Sequence, residues 1–200
     1  MILREAMRMI AKEAARYDWI SQARPEQLPP ADDQPWTTWL VLGGRGAGKT
    51  RTGAEWVRAA IGKIAALTER KPPRIALVAE TYSDAREVMI EGPSGLRAVE
   101  PAATRPTYVA SRRMLEWPNG ASAYCFSSED PDGLRGYQFD FAWSDELGKW
   151  RYPDETWSNL QLALRLGDAP RQVVTTTPRP TALLKRLVAA ETTALTCASG

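Results

Sequence analysis

Apolar and polar positions follow two alternating rhythms along the chain. "MILREAMRMIAKEAARYDWI" places apolar residues at helical spacing but interrupts them with charge throughout, which predicts an amphipathic helix packed on the body of the domain rather than a signal peptide or a membrane span. The proline- and acid-rich "QARPEQLPPADDQP", Gln22 to Pro35, predicts an irregular lead-in. "TTWLVLGG" reads as a buried strand running into glycines. Ala54, Val57, Ile61, Ile64 and Ala65 then recur at helical intervals, so a glycine loop joins that strand to a helix of about four turns. "RIALVAET" is a second apolar run, followed by a helix capped at Ser83 in "SDAREVMIE". In "MLEWPNGASAYCF", Asn119-Gly120 sits between strand-like residues and predicts a hairpin. "FDFAWSDE" is a third core strand, "DETWSNLQLALRLG" a helix ending near Gly167, "RQVVTTT" a fourth strand and "TALLKRLVAAE" a last helix. Strands alternating with helices predict an α/β fold with a mostly parallel sheet between helical layers and a small hairpin insertion.

Composition narrows what such a fold can do. With 200 residues, 44% of them hydrophobic, the chain closes one substantial core, so a single domain is expected. A formal net charge of +2 means that contact with nucleic acid must come from a local patch. Cys125 and Cys197 lack a metal-binding or paired spacing, which points to a reducing compartment such as cytoplasm. The chain has no histidine, so Ser-His and Cys-His catalysis are excluded and a general base must be a carboxylate or a lysine.

The glycine loop carries the first specific chemistry. Gly43, Gly48, Lys49 and Thr50 satisfy the G-x-x-x-x-G-K-[ST] pattern between a strand and a helix, with Gly44, Arg45, Gly46 and Ala47 filling the loop. Such glycines let backbone N–H groups face the phosphates of a nucleotide such as ATP, and the helix N-terminus adds a favourable dipole. Lys49 is expected to neutralise phosphate charge, and the Thr50 hydroxyl to ligate Mg2+.

Asp145 and Glu146 end the "FDFAWSDE" strand, where Asp145 is expected to hold magnesium and Glu146 to take a proton from the attacking water. Arg45 in the loop and Arg135 in "DGLRGYQF" are candidates for stabilising charge in the transition state, Arg135 from a neighbouring subunit. Thr175, Thr176 and Thr177 sit at a strand end where hydroxyls could sense the γ-phosphate, although threonine is also a favoured strand residue. The eight tryptophans fit core or interface positions better than a base-stacking platform.

"WLVLGGRGAGKTRTGAEWV", "LEWPNGA", "GLRGYQFDFAWSDEL" and "VVTTTPRP", in this order, resemble the ATPase domain of the large terminase subunit of tailed bacteriophages, prophages and gene transfer agents, from about Trp19 to about Ala190. The resemblance implies an additional-strand, catalytic-glutamate (RecA-like) P-loop fold, with the "VVTTT" strand between the Walker A and Walker B strands. It implies a coupling role for Thr175 to Thr177 and an adenine-recognising glutamine upstream of the loop. Gln27 suits that position best, and Gln22 and Gln34 remain open.

The function implied is ATP- and Mg2+-dependent translocation of double-stranded DNA into a procapsid, in the cytoplasm of a bacterial host. Its implied partners are the portal protein, the small terminase subunit and further copies in a ring, with no membrane. Family members usually add a nuclease of the ribonuclease H type. This sequence ends just after the ATPase motifs, so the expected organisation is a lead-in over 1–35, a core over 36–190, a tail over 191–200 and no nuclease site. Two alternatives stand beside this reading: another DNA-dependent P-loop ATPase, and a nucleotide-gated assembly module inactive without its neighbours or a further domain.

Overall fold

The computed structural model describes residues 2–31, 33, 35–65 and 71–198, which leaves Gln34 and the end of the expected tail outside the described residues. Helices α1 (Ile2–Arg16) and α2 (Trp19–Gln22) lead through a short 3-10 turn into β1 (Thr38–Gly43), which the glycine loop connects to α3 (Lys49–Ala65). There follow β2 (Arg74–Ala79), α4 (Tyr82–Asp84) continuing as a π-helical turn over Ala85–Ile90, α5 (Leu96–Val99), β3 (Thr107–Val109), β4 (Met114–Glu116) and β5 (Ser122–Ser127). The chain closes with β6 (Phe141–Asp145), α6 (Pro153–Ala163), β7 (Arg171–Thr176), α7 (Ala182–Ala189) and β8 (Thr193–Ala198).

The eight strands form one sheet in the order β3-β4-β5-β2-β6-β7-β1-β8, parallel from β5 to β8 and antiparallel at the β3-β4-β5 end. Successive side chains of a strand point to opposite faces, so each central strand feeds two cores. Trp39, Val41, Ile75, Leu77, Trp143 and Val173 meet Ala54, Val57 and Ile61 of α3 on one face. Leu40, Ala76, Val78, Ala142 and Val174 meet Leu160 of α6 and Leu183 and Leu187 of α7 on the other. Strand β7 lies between β1 and β6, with Thr175 in register with both Val41 and Asp145, which brings the tips of three strands to one end of the sheet.

Three local readings change. The helix after β2 is capped by Thr81, whose hydroxyl accepts from the Asp84 amide, and Ser83 lies inside its first turn. The hairpin gains a third strand, β3, too short to show an alternating pattern. The expected tail contains β8, which pairs with β1 along its whole length and accepts a bond from Trp39 Nε1 on Thr196 Oγ1 at 3.0 Å. Its sequence, "TALTCA", has no apolar run, so its strand character comes from its neighbour. In α1, Met7 is 62% and Met9 69% exposed, and Arg16 at its end reaches Arg51 of α3 across a shared recess.

Candidate functional site

The loop after β1 is shaped by its glycines. Gly46 and Gly48 hold φ of +83° and +74°, a left-handed conformation that a residue with a Cβ resists. Gly48 is also tightly enclosed, since a Cβ there would come within 2.5 Å of Gln27 Nε2. The Lys49 ammonium folds back over the loop and donates to the Gly44 carbonyl at 3.0 Å. Arg24 braces the loop from behind, donating from Nη2 to the Ala47 carbonyl at 2.8 Å. The N-terminus of α3 therefore opens where the loop ends, with its first amides available to an anion.

The paired acids reach the same place from β6. Asp145 is buried, and its Oδ1 accepts the Thr175 hydroxyl at 2.5 Å, while Trp143 Nε1 donates to that same hydroxyl at 2.8 Å. Burial, and secondarily the neighbouring Glu146 charge, push the Asp145 carboxyl up to about 6, against opposing effects of the Thr175 bond and Lys49. Glu146 leaves the strand in a left-handed conformation, φ +47°, and its amide donates to the Thr175 carbonyl at 2.6 Å. That reversal sets its carboxylate 3.5 Å from Lys49 Nζ and 4.0 Å from Lys149 Nζ.

The threonines ending β7 each hold a different part of this turn. Thr175 donates to Asp145, Thr176 accepts the Gly148 amide at 2.9 Å, and Thr177 donates to Glu146 Oε2 at 3.3 Å.

The resulting cavity, of about 790 Å³, is lined by the loop from Arg45 to Thr50 and by Asp145, Glu146 and Thr177. Arg45 is exposed at its edge. Glu80, Asp84 and Glu87 line another side, and Lys149 a further one. These four were not singled out in the sequence. Glu80 directly follows a core strand, β2, and the carboxyl ends of strands are where open α/β sheets place their ligands. Lys149 lies three residues beyond Glu146, in a short 3-10 turn with no motif of its own.

Three other sequence candidates lie outside that cavity. Arg135 lines a separate recess with Leu134, Tyr137 and Asn159, ion-pairs with Asp132 at 2.9 Å and is 69% exposed. Gln27 sits behind the loop, its Oε1 accepting the Arg24 amide at 3.1 Å and its Nε2 donating to Thr52 Oγ1 at 3.3 Å. It lines an apolar cavity of about 570 Å³ with Trp19, Trp36, Trp39 and Trp56. Gln22 donates to the carbonyls of Ala15 and Arg16.

Among the described residues no cluster of three or more His, Cys, Asp or Glu could hold a metal unaided. Thr50 and Asp145 nevertheless fit magnesium, which takes one or two protein oxygens and completes its shell with phosphates and water. A buried carboxylate with a raised pKa is one whose charge a further cation would stabilise.

A phosphate loop between β1 and α3, an intervening β7 and an acid pair at the tip of β6 define a RecA-like P-loop domain of the additional-strand, catalytic-glutamate class. Residues 40–196 match the family model described as terminase large subunit, T4likevirus-type, N-terminal, and the chain belongs to that family. Among solved structures, the large terminase of a thermophilic bacteriophage in complex with ADP aligns with a TM-score of 0.62 at 15% identity, over 94% of this chain and 44% of that one. A mutant ATPase domain of the large terminase of Thermus phage P74-26 aligns with a TM-score of 0.58 at 13% identity, over 82% of this chain and 77% of that one. The ATPase domain of that same phage terminase, without the mutation, gives 0.52 at 16% identity, over 80% and 69%. At these identities the likeness is one of fold. The chain thus spans 44% of the length of the ADP-bound terminase it matches. No curated protein sequence matches it. Among the described residues, no helix is long and apolar enough to cross a membrane.

Proposed function

We propose that this domain hydrolyses ATP with Mg2+ and is the motor of a viral DNA-packaging terminase, driving double-stranded DNA into a procapsid. The observation that carries the reading is the convergence of Lys49, Asp145 and Glu146 on one cavity, with Lys49 Nζ 3.5 Å from Glu146 Oε1. The ADP bound by the thermophilic phage terminase of similar fold supports the choice of nucleotide.

In this mechanism the loop amides and Lys49 bind the β- and γ-phosphates. Thr50 and Asp145 would hold Mg2+, which when bound neutralises charge on those phosphates. Glu146 accepts a proton from water as its oxygen attacks the γ-phosphorus and the bond to the β–γ bridging oxygen breaks. Thr177 orients the Glu146 carboxylate through its hydroxyl. Arg45 from the same loop, or Arg135 from a neighbouring copy, stabilises charge on the departing γ-phosphoryl group, and Thr175 to Thr177 transmit its loss to β7. The motor works as a ring on a portal protein, with a small terminase subunit as a further partner, in the cytoplasm of a bacterial host.

The test is phosphate release by the purified protein, titrated with protein concentration and with linear double-stranded DNA. Mg2+-dependent release that DNA stimulates is expected. Nucleotide binding with no turnover at any protein or DNA concentration would replace the motor with a binding module.

A further inference from the structure

Beside the phosphate-loop cavity, and sharing Arg51 and Pro93 with it, lies a second recess of about 390 Å³. Arginines converge on it from four parts of the chain: Arg16 at the end of α1, Arg51 in α3, Arg97 in α5 and Arg105 ahead of β3. Among the described residues Glu91 is the acid in its lining, and it is shared, lying 3.8 Å from Arg97 Nη1 and 3.3 Å from Arg86 Nε. Glu55, which pairs with Arg51 at 2.6 Å, is likewise shared with Arg58 at 3.0 Å. Each acid thus faces two guanidinium groups, and the recess stays positive although the chain as a whole carries only +2. Arg97 is further under-compensated: its Nε is buried and meets no acceptor among the described residues.

Guanidinium forks match the oxygens of a phosphate group, and four of them on separate elements suit several phosphates better than one. The recess is also open, with the Arg97 side chain 42% and the Arg51 side chain 27% exposed, as a polymer crossing the surface requires. On the reading of the domain as a DNA motor, we propose that this recess grips the phosphodiester backbone of double-stranded DNA. Arg51 follows the loop residues Lys49 and Thr50 directly on α3, so force on the recess acts on the helix that begins at the phosphate loop.

The test is fluorescence anisotropy of a labelled linear duplex at several salt concentrations. It compares the wild type, an Arg97→Ala/Arg105→Ala double variant, Arg105→Ala alone, and a distant control, Arg186→Ala, whose arginine pairs with Asp154 on the surface. Arg105→Ala leaves the Arg97–Glu91 pair in place, so it reports even where the double variant folds poorly. Each recess arginine removed is expected to make the slope of log Kd against log salt shallower by about one and to weaken binding about tenfold at low salt. Arg186→Ala, binding of a non-hydrolysable ATP analogue and hydrolysis without DNA stay unchanged.

Unaltered affinity and slope in both recess variants, with the wild type still binding DNA, would place the DNA elsewhere. Parallel loss of nucleotide affinity would assign the recess to the nucleotide. Displacement of duplex by inorganic phosphate beyond its ionic-strength effect would make it a free-phosphate site. Absence of salt-dependent DNA binding by the wild type would overturn the recess together with the DNA part of the motor reading, while ATP hydrolysis is measured separately.

Discussion

The Thr177 hydroxyl donates to Glu146 Oε2 at 3.3 Å, joining the end of β7 to the carboxylate that turns back from β6. The neighbouring hydroxyls of Thr175 and Thr176 are occupied with Asp145 and Gly148, so this contact is specific to the last threonine of the run. Replacing Thr177 with Val removes one hydrogen bond to a charged group, worth about 1.5 kcal/mol, and is expected to lower kcat about tenfold with little change in KM. Thr177→Ser retains the hydroxyl and restores most of the rate. Steady-state phosphate release distinguishes these outcomes.

Asp145 gives a pH dependence with an unusual sign. Its carboxyl is raised from 3.8 to about 6, chiefly by burial, so the folded chain holds that proton more tightly than the unfolded chain. The cost of the buried charge is absent below the unfolded value, grows between 3.8 and about 6, and is fully present above that. Asp145→Asn removes this contribution. Thermal melts across that window are expected to show the variant gaining stability relative to wild type as pH rises, by up to about 3 kcal/mol. If Asp145 holds Mg2+ as proposed, the same variant is expected to lose Mg2+-dependent nucleotide binding, because a neutral amide is a poor partner for the cation.

Two glycines of the loop separate strain from space. Gly48 has φ +74° and only 2.5 Å between an added Cβ and Gln27 Nε2, whereas a Cβ at Gly44 meets nothing within 4 Å. Gly48→Ala is therefore expected to cost on the order of 1–3 kcal/mol and to weaken nucleotide binding. Gly44→Ala stays within about 0.5 kcal/mol of wild type. Chemical denaturation and nucleotide titration of the two variants test the contrast.

Arg135 is 69% exposed, pairs with Asp132 and lies outside the phosphate-loop cavity, so the transition-state role proposed for it has to be exerted on a neighbouring copy. Mixing Arg135→Ala with Glu146→Gln protein is expected to restore ATPase activity to two inactive partners, because each supplies what the other lacks. No recovery at concentrations where the subunits associate would count against a role in trans.

Much of this arrangement is legible in the sequence because its signals are local. The apolar strand of Trp39 to Val41, the glycines and the apolar repeat of α3 specify strand, loop and helix within about thirty residues. Asp145 and Glu146 announce themselves by ending an apolar run. Less legible are features created by pairing between distant segments. The polar strand β8 exists through its register with β1, and Glu80, Asp84 and Lys149 come to line one cavity with Lys49 only once the sheet is assembled. Gln27 was reachable by spacing alone, but its bonds to the Arg24 amide and the Thr52 hydroxyl, made with residues on two different elements, were not. Arg24, which braces Ala47, stood within the irregular lead-in without any pattern to mark it.

The most direct measurement is nucleotide binding and turnover by Glu146→Gln, measured side by side. Glu146 has its carboxylate 3.5 Å from the Lys49 ammonium, and if it is the base, the variant binds ATP with affinity near that of wild type and releases phosphate at least about a hundredfold more slowly. Steady-state hydrolysis equal to wild type, in a variant that still binds ATP, would contradict the assignment of Glu146 as the base.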